Sequence, residues 1–403
     1  MLDEWIRESS GRLIRSTAPA EGRLDVHRPT FDIAGILSIG LDDDEAATRK
    51  VVTSELDPYP LRRSDVRPDL LLERAPMSWQ PEIVEIHGLA GDGWVSASDG
   101  RSMYAIVEGL VASIPDPWSG GDLQVSYQPR FPIAQIFSPL IRPTMQAGLL
   151  LRGAATVHAA TVELDGSALL VAGWSESGKT ETALALMERS ARFVSDKWTV
   201  LSADGTAAAF PISVGVRRWV LPYLPTLRGA LPRRSSARFA VAGLARTVVT
   251  PIVRHLGRGR LAGLVGQTAQ QGLALADRVA LTPTELRRAY GQQHDATRRL
   301  PVRMVVLLTT VPPGRVPRAQ NADREWAIER LVRTAAFERR AFVAWRERSG
   351  YAFPSHSTDS TGWMDREREL LREALRSVEL VQVEAPFPTD PGPVAEVVLA
   401  CLR

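Results

Sequence analysis

Apolar positions along the chain recur in two periods, and the period changes near residue 131. In the first part, Leu2, Trp5, Ile6, Leu13 and Ile14 fall at helical spacing and predict a short amphipathic helix over 2–16. Residues 31–39, Phe-Asp-Ile-Ala-Gly-Ile-Leu-Ser-Ile, read as one strand. Trp94 to Val107 reads as a hairpin turned at Asp99-Gly100, a pair suited to the left-handed backbone of a tight turn. Proline-rich breaks near 58–60 and 114–117 punctuate the region. Residues 1 to about 130 are therefore expected to form a smaller β-rich α+β domain, which carries no catalytic constellation.

From 131 the pattern alternates between strand and helix. Residues 133–151 have helical spacing, and Ala155–Leu164 alternates as a strand that carries His158. Asp165-Gly166 marks a tight turn, and the run Ala168–Ala172 that follows reads as a buried strand ending at Gly173. Thr182–Arg189 reads as a helix, and Arg192–Ser195 as a strand ending at Asp196. Met304–Leu308, Val378–Val383 and a helical tail from Pro393 to Leu402 complete an α/β domain over 131–403. Within it, about 220–300 has a predominantly helical pattern and reads as an insertion. Ser235-Ser236 would cap a helix reaching about His255, kinked at Pro251.

Composition narrows the class. Hydrophobic residues make up 44% and charged residues 24%, as in ordinary globular chains. No apolar run reaches the roughly 18–20 residues that span a bilayer, and the acidic start is unlike a signal peptide, so a cytoplasmic protein is expected. The single cysteine, Cys401, excludes an internal disulfide and a cysteine-based zinc site. Lysine occurs only at 50, 179 and 197, a bias that a GC-rich genome explains, yet two of the three lysines flank the strongest motif. No Asp or Glu lies between Asp204 and Asp277, whereas ten arginines run from Arg217 to Arg260. This stretch reads equally as a face for an anionic partner or as an ordinary solvated basic surface.

The motif is Gly173-Trp174-Ser175-Glu176-Ser177-Gly178-Lys179-Thr180, which fits G-x-x-x-x-G-K-[ST] between a buried strand and a helix. In such a loop the backbone N–H groups of Gly173, Ser175, Glu176, Ser177 and Gly178 curl around phosphate oxygens at the positive end of the helix dipole. Lys179 would neutralise the β- and γ-phosphates, and Thr180 would offer its hydroxyl to Mg²⁺. ATP with Mg²⁺ is the expected ligand. A strand–helix–strand crossover is expected to return the chain beside the first strand, with Asp196 at the phosphate edge. There Asp196 would hold Mg²⁺ or accept a proton; the plainer reading is a turn or capping aspartate. By pattern alone His158 reads as structural.

Together, Val157-His158-Ala159-Ala160, the Asp165-Gly166 turn, Lys179-Thr180-Glu181-Thr182-Ala183-Leu184-Ala185-Leu186 and Phe193-Val194-Ser195-Asp196 resemble the HPr kinase/phosphorylase family. Its relatives include the tailoring kinases of lasso-peptide pathways, and its nucleotide site is similar to that of phosphoenolpyruvate carboxykinase. The resemblance covers about 131–215. It implies a P-loop kinase domain in which His158 is the active-site histidine, Thr180 and Glu181 form the metal side, and Asp196 activates the acceptor hydroxyl. The implied chemistry is transfer of the γ-phosphoryl group to a hydroxyl of a peptide, protein or small molecule, by a chain that is often oligomeric. Residues 1–130 would then serve acceptor recognition, and Lys197, Arg217 and Arg218 would hold an anionic acceptor. The chain departs from the family at Glu176, usually Gly, and at Lys197, usually a second Asp. A carboxylate at 176 is expected to point away from phosphate or to be paired, with Lys197 as the candidate partner. Losing the second Asp removes one metal contact. The alternative reading is a nucleotide-binding regulatory or partner protein with little turnover. Nucleic acid is not the expected partner, because no aromatic residues interleave the basic segment. HPr itself is not the expected acceptor, because Pro312-Pro313-Gly314-Arg315 is only a faint echo of the family's C-terminal signature.

Overall fold

The computed structural model describes residues 28–76, 85–89, 95–98, 103–118, 122–231, 278–293, 295, 298–352 and 361–403. The expected helix at 2–16, the Asp99-Gly100 turn and the Ser235–His255 helix lie outside the described residues.

Nine strands build a first sheet: β1 (Arg28–Ile33), β2 (Leu37–Asp42), β3 (Arg62–Ser64), β4 (Leu70–Arg74), β5 (Glu85–Leu89), β6 (Val95–Ser98), β7 (Met103–Val107), β8 (Leu110–Ile114) and β9 (Leu123–Tyr127). Their order is β3-β1-β2-β4-β9-β8-β7-β6-β5. Helix α1 (Ala46–Glu55) follows β2. The run 31–39 is a hairpin and not one strand: Ala34 and Gly35 turn at φ 58° and 69°, and Gly35 N–H bonds the Asp32 carboxylate at 2.9 Å. The turn is hidden in the sequence because Phe31, Ile33, Leu37 and Ile39, from both strands, are all buried in one core. The expected hairpin after Trp94 is present as antiparallel β6 and β7, with Ser98 opposite Met103.

The segment 133–151 is helical throughout, as α2 (Ile133–Ile136), a π turn over Phe137–Ile141 and α3 (Arg142–Leu151). Pro139 and Pro143 each withhold a backbone donor, and the helix widens where an ordinary ladder would leave carbonyls unpaired. The chain continues through β10 (Ala154–Val157), β11 (Ala159–Leu164), β12 (Ser167–Gly173), α4 (Lys179–Met187), β13 (Arg192–Ser195), β14 (Thr199–Ser202), β15 (Thr206–Ala209) and β16 (Val214–Arg217). A 3₁₀ turn (Arg218–Tyr223), α5 (Pro225–Ala230), β17 (Arg278–Leu281) and α6 (Pro283–Ala289) come next. Last are β18 (Leu300–Val311), β19 (Arg318–Asn321), α7 (Arg324–Glu338), α8 (Arg340–Ala352), α9 (Thr361–Ala374), β20 (Glu379–Pro386) and α10 (Pro391–Ala400).

The second sheet runs β10-β14-β15-β18-β12-β11-β13, with β20 pairing β18 and β19 pairing β20. The parallel strands β12, β18 and β20 match the continuous apolar runs of the sequence. Two expectations are corrected. The strand expected over 155–164 breaks at His158 into β10, paired with β14, and β11, paired with β12. The strand ending at Asp196 does not return beside β12. The Asp165-Gly166 turn folds β11 onto that edge first, so β13 pairs β11. Since β11 is antiparallel to both, β13 still runs parallel to β12 and ends at the same edge.

The sheet has two apolar faces, as the alternation in β12 and β18 requires. Leu170 and Val305 share one core with the first sheet, α3, α7 and α9; Val171 and Val306 pack with α4, β16, β17 and α10 in the other. The two parts of the chain also meet through polar bonds. Tyr59 donates its hydroxyl to Ala209 O at 2.7 Å, and Asp57 accepts from the Thr284 amide at 3.1 Å. The described part of the 220–300 insertion holds a strand as well as helices, because β16 and β17 pair at its root. The architecture is mixed α/β. No helix among the described residues is long and apolar enough to cross a membrane.

Candidate functional site

The loop between β12 and α4 forms the floor of a cleft of about 650 Å³. Its shape follows from a few residues. Gly173 makes room for the Ser177 hydroxyl, since a Cβ there would lie 2.5 Å from Ser177 Oγ and 3.0 Å from Leu308 O. Gly178 caps α4 in the left-handed conformation, φ 92°, under the ring of Phe387. Glu176 also takes a left-handed backbone, φ 61°. That conformation favours glycine, the residue usual at this position in the family that the sequence resembles.

At the start of α4, Lys179 is buried and folds back on its own loop. Its Nζ donates to Gly173 O at 3.0 Å and Trp174 O at 2.7 Å. Burial lowers its pKa to about 8, against the opposing pull of Asp196, Glu338 and Glu181. Thr180 donates its hydroxyl to Asp196 Oδ1 at 2.7 Å. Asp196 and Glu181 are both buried, and desolvation raises both carboxyls above their ordinary range. These two acids and the hydroxyl stand at the positive end of a helix, where a cation would offset the desolvation of the carboxylates.

One wall of the cleft comes from the end of α7 and the first turn of α8. Glu338 places Oε2 3.7 Å from Lys197 Nζ and Oε1 4.0 Å from His158 Nε2. His158 is neutral, because burial, aided by Lys179 and Lys197, pushes its pKa down to about 2. Its Nδ1 has no hydrogen-bond partner among the described residues. Lys197 is likewise pushed below the usual lysine range, chiefly by burial. Above these groups, Trp174 of the loop stacks on Phe337 at 4.6 Å between ring centroids, and the Arg340 guanidinium lies 4.2 Å from the Phe337 ring centre. The wall is anchored from behind. Arg339 makes two 2.6 Å bonds to Glu367, both side chains are buried, and the guanidinium sits against Trp363 and Trp198.

The other wall is the β16–β17 ladder, which contributes Gly215, Arg217 and Arg278, together with Phe387. Glu176 turns its side chain to this wall and pairs with Arg217 at 2.7 Å.

Most of the residues expected from sequence meet in this cleft: His158, Ser175, Glu176, Ser177, Gly178, Lys179, Thr180, Glu181, Asp196, Lys197 and Arg217 line it, and Gly173 shapes its floor. Two expectations are corrected. The partner of Glu176 is Arg217 and not Lys197. Lys197 leaves β13 with a left-handed backbone, φ 60°, which turns it to the opposite wall. Arg218 is exposed at the start of the 3₁₀ turn and is not among the lining residues. Glu338, Arg278, Arg340, Phe337 and Phe387 were missed, and only the Arg217–Arg260 charge asymmetry hinted at one wall. Among the described residues, no group of three or more His, Cys, Asp or Glu side chains is arranged to hold a metal ion by itself.

A scan against protein-family models finds no match for this chain, and a search of curated proteins finds no match either.

Proposed function

We propose that this protein is an ATP-dependent phosphotransferase with a P-loop kinase domain of the HPr kinase/phosphoenolpyruvate carboxykinase-like type. The observation that carries the reading is the 2.7 Å bond from Thr180 to the buried carboxylate of Asp196, made beside Lys179 at the first turn of α4. A hydroxyl and a carboxylate at a helix start beside a buried lysine suit a nucleoside triphosphate with its cation. The fit to Mg²⁺ is chemical. Mg²⁺ takes one or two protein oxygens and completes its shell with phosphate and water, so a cage of three acids is not needed. Thr180 and Asp196 would hold it, with Glu181 behind them; when bound, it would neutralise charge on the transferring phosphoryl group.

The chain's own residues divide the remaining work. Loop amides and Lys179 orient the phosphates, and the lysine exchanges two carbonyls for phosphate oxygens. Asp196 already accepts a hydrogen bond on the metal side. Glu338 has its two cleft neighbours at 3.7 and 4.0 Å, beyond hydrogen-bond reach, so its carboxylate retains the capacity to accept a proton from an acceptor hydroxyl. An exchange from acid to base at Lys197 relative to the family pattern raises the local charge by two units, and Glu338 of α7 offsets one of them.

Incubation of the protein with ATP, Mg²⁺ and hydroxyl acceptors, with Lys179→Ala and Asp196→Asn as controls, tests the reading. Transfer of phosphate to an acceptor or to water, lost in both variants, is expected. ATP binding with no transfer to anything would favour the second reading, a nucleotide-binding regulator, for which Lys197 in place of a second metal-side acid is the supporting feature.

A further inference from the structure

The β16–β17 ladder has two unlike faces. Val214, Val216, Val279 and Leu281 are buried against α4 and its neighbours. By strand alternation, Arg217 and Gly215 share the opposite face, as do Arg278 and Ala280. Arg217 and Arg278 are direct cross-strand partners, an arrangement of like charges that destabilises a ladder. The Arg278 guanidinium lies diagonally over Gly215: a Cβ at 215 would fall 1.7 Å from its Nε and 1.9 Å from its Nη2. The absent side chain thus seats the guanidinium flat on the strand and inside the cleft. Among the described residues, the Arg278 side chain has no hydrogen bond or close ion pair, although its charge acts on Asp196 and Lys197 across the cleft, while Arg217 is held by Glu176, a carboxylate 68% exposed to solvent. A resident carboxylate on Arg217, whose cross-strand partner Arg278 lines the same cleft, marks a seat for an oxyanion.

We propose that Arg217 and Arg278 form a second anion subsite, separate from the phosphate loop, that takes a phosphate or carboxylate group of the acceptor, and that Glu176 occupies it until the acceptor arrives. This rests on the phosphotransferase reading for the word acceptor, but not for the anion. The arginines supply planar, permanently charged forks suited to such a group. Glu176 exchanges its place readily, because an exposed pair is worth little. An acceptor carrying both an oxyanion and a hydroxyl would then span the cleft, anchored on β16–β17 and presenting its hydroxyl toward Glu338.

Isothermal titration tests this with inorganic phosphate and, in parallel, acetate as probes. They are added to the full chain saturated with Mg²⁺ and a non-hydrolysable ATP analogue, and also to Lys179→Ala protein without nucleotide. Anion binding is expected in both. Arg278→Gln should weaken it about tenfold or more, the loss of a charge-assisted bond, and Glu176→Gln should strengthen it about threefold. Gly215→Ala, which displaces Arg278 without removing its charge, should weaken it as well. Whether phosphate or acetate binds tighter decides between the two acceptor groups. Binding unaffected by Arg278→Gln, absent from wild type, or lost only with Lys179→Ala overturns the subsite, since the anion would then sit on the loop alone. If the ATP analogue fails to bind while phosphate still binds to Lys179→Ala protein, the nucleotide reading falls and the subsite stands.

Discussion

The two walls of the cleft carry similar charges in opposite states. On the α7 side, Arg339 and Glu367 are buried in a bidentate pair, backed by Trp198 and Trp363. On the β16–β17 side, Arg217 and Glu176 meet at the same kind of distance but in solvent. Burial makes the first pair costly to break and slow to rearrange; exposure makes the second cheap and exchangeable. The fixed wall presents Glu338, which faces His158, whereas the exchangeable wall presents arginines. On the proposed function, a division of labour between chemistry and binding would follow from solvent access more than from residue type.

The sharpest way to break this comparison is to remove one arginine from each wall. Arg339→Met leaves Glu367 buried without its partner and should cost about 3–5 kcal/mol of folding stability. Arg217→Gln should cost less than about 1 kcal/mol. Urea unfolding of both variants measures the difference, and equal losses would end the distinction. If the phosphotransferase reading holds, Glu338→Gln should lower turnover about 100-fold or more while ATP affinity stays within about twofold. A comparable fall in affinity would move Glu338 from chemistry to binding.

A smaller effect comes from Lys179, which belongs to the floor shared by both walls. Burial sets its pKa at about 8 in the free protein, and phosphate binds the ammonium form. ATP affinity should therefore be constant below that pH and weaken as pH rises through it, by up to about tenfold per unit, with proton uptake on binding. The folding linkage has the opposite sign. Between about 8 and the ordinary lysine value the unfolded chain holds more protons, so this group adds stability as pH rises. Calorimetry in buffers of different ionisation enthalpy reads the proton uptake. The smallest change is Glu176→Gly. Relief of the left-handed backbone and loss of an exposed pair oppose each other, leaving a stability change under about 1 kcal/mol.

The parts of the site legible in the sequence are those written locally. The Gly173–Thr180 loop, the Asp165-Gly166 turn and Asp196 at a strand end are short-range signals with a backbone reason. Glu338 is not of that kind. It is one of three glutamates in a helix that also holds three arginines, and only tertiary packing carries it to Lys197 and His158. Arg278 was hidden for another reason: it follows a long insertion, and its link to Arg217 is a ladder pairing that no local pattern announces. The strand order was misread because a crossover rule fixes direction and edge but not how many strands lie between. The hairpin in 31–39 was misread because buried residues on both sides of its turn erase the polar punctuation that marks most turns.

The stack of Trp174 on Phe337 also equips the molecule with its own optical probe. Trp174 is 47% exposed and is held by Lys179 through its own carbonyl oxygen. If the lysine releases that oxygen for a phosphate, as proposed, the electric field at the indole should change along with its contact to the neighbouring ring. On the phosphotransferase reading, ATP should therefore change the emission of this side chain over the background of the chain's nine other tryptophans, and the part of the change that is lost in Trp174→Phe reports occupancy of the loop.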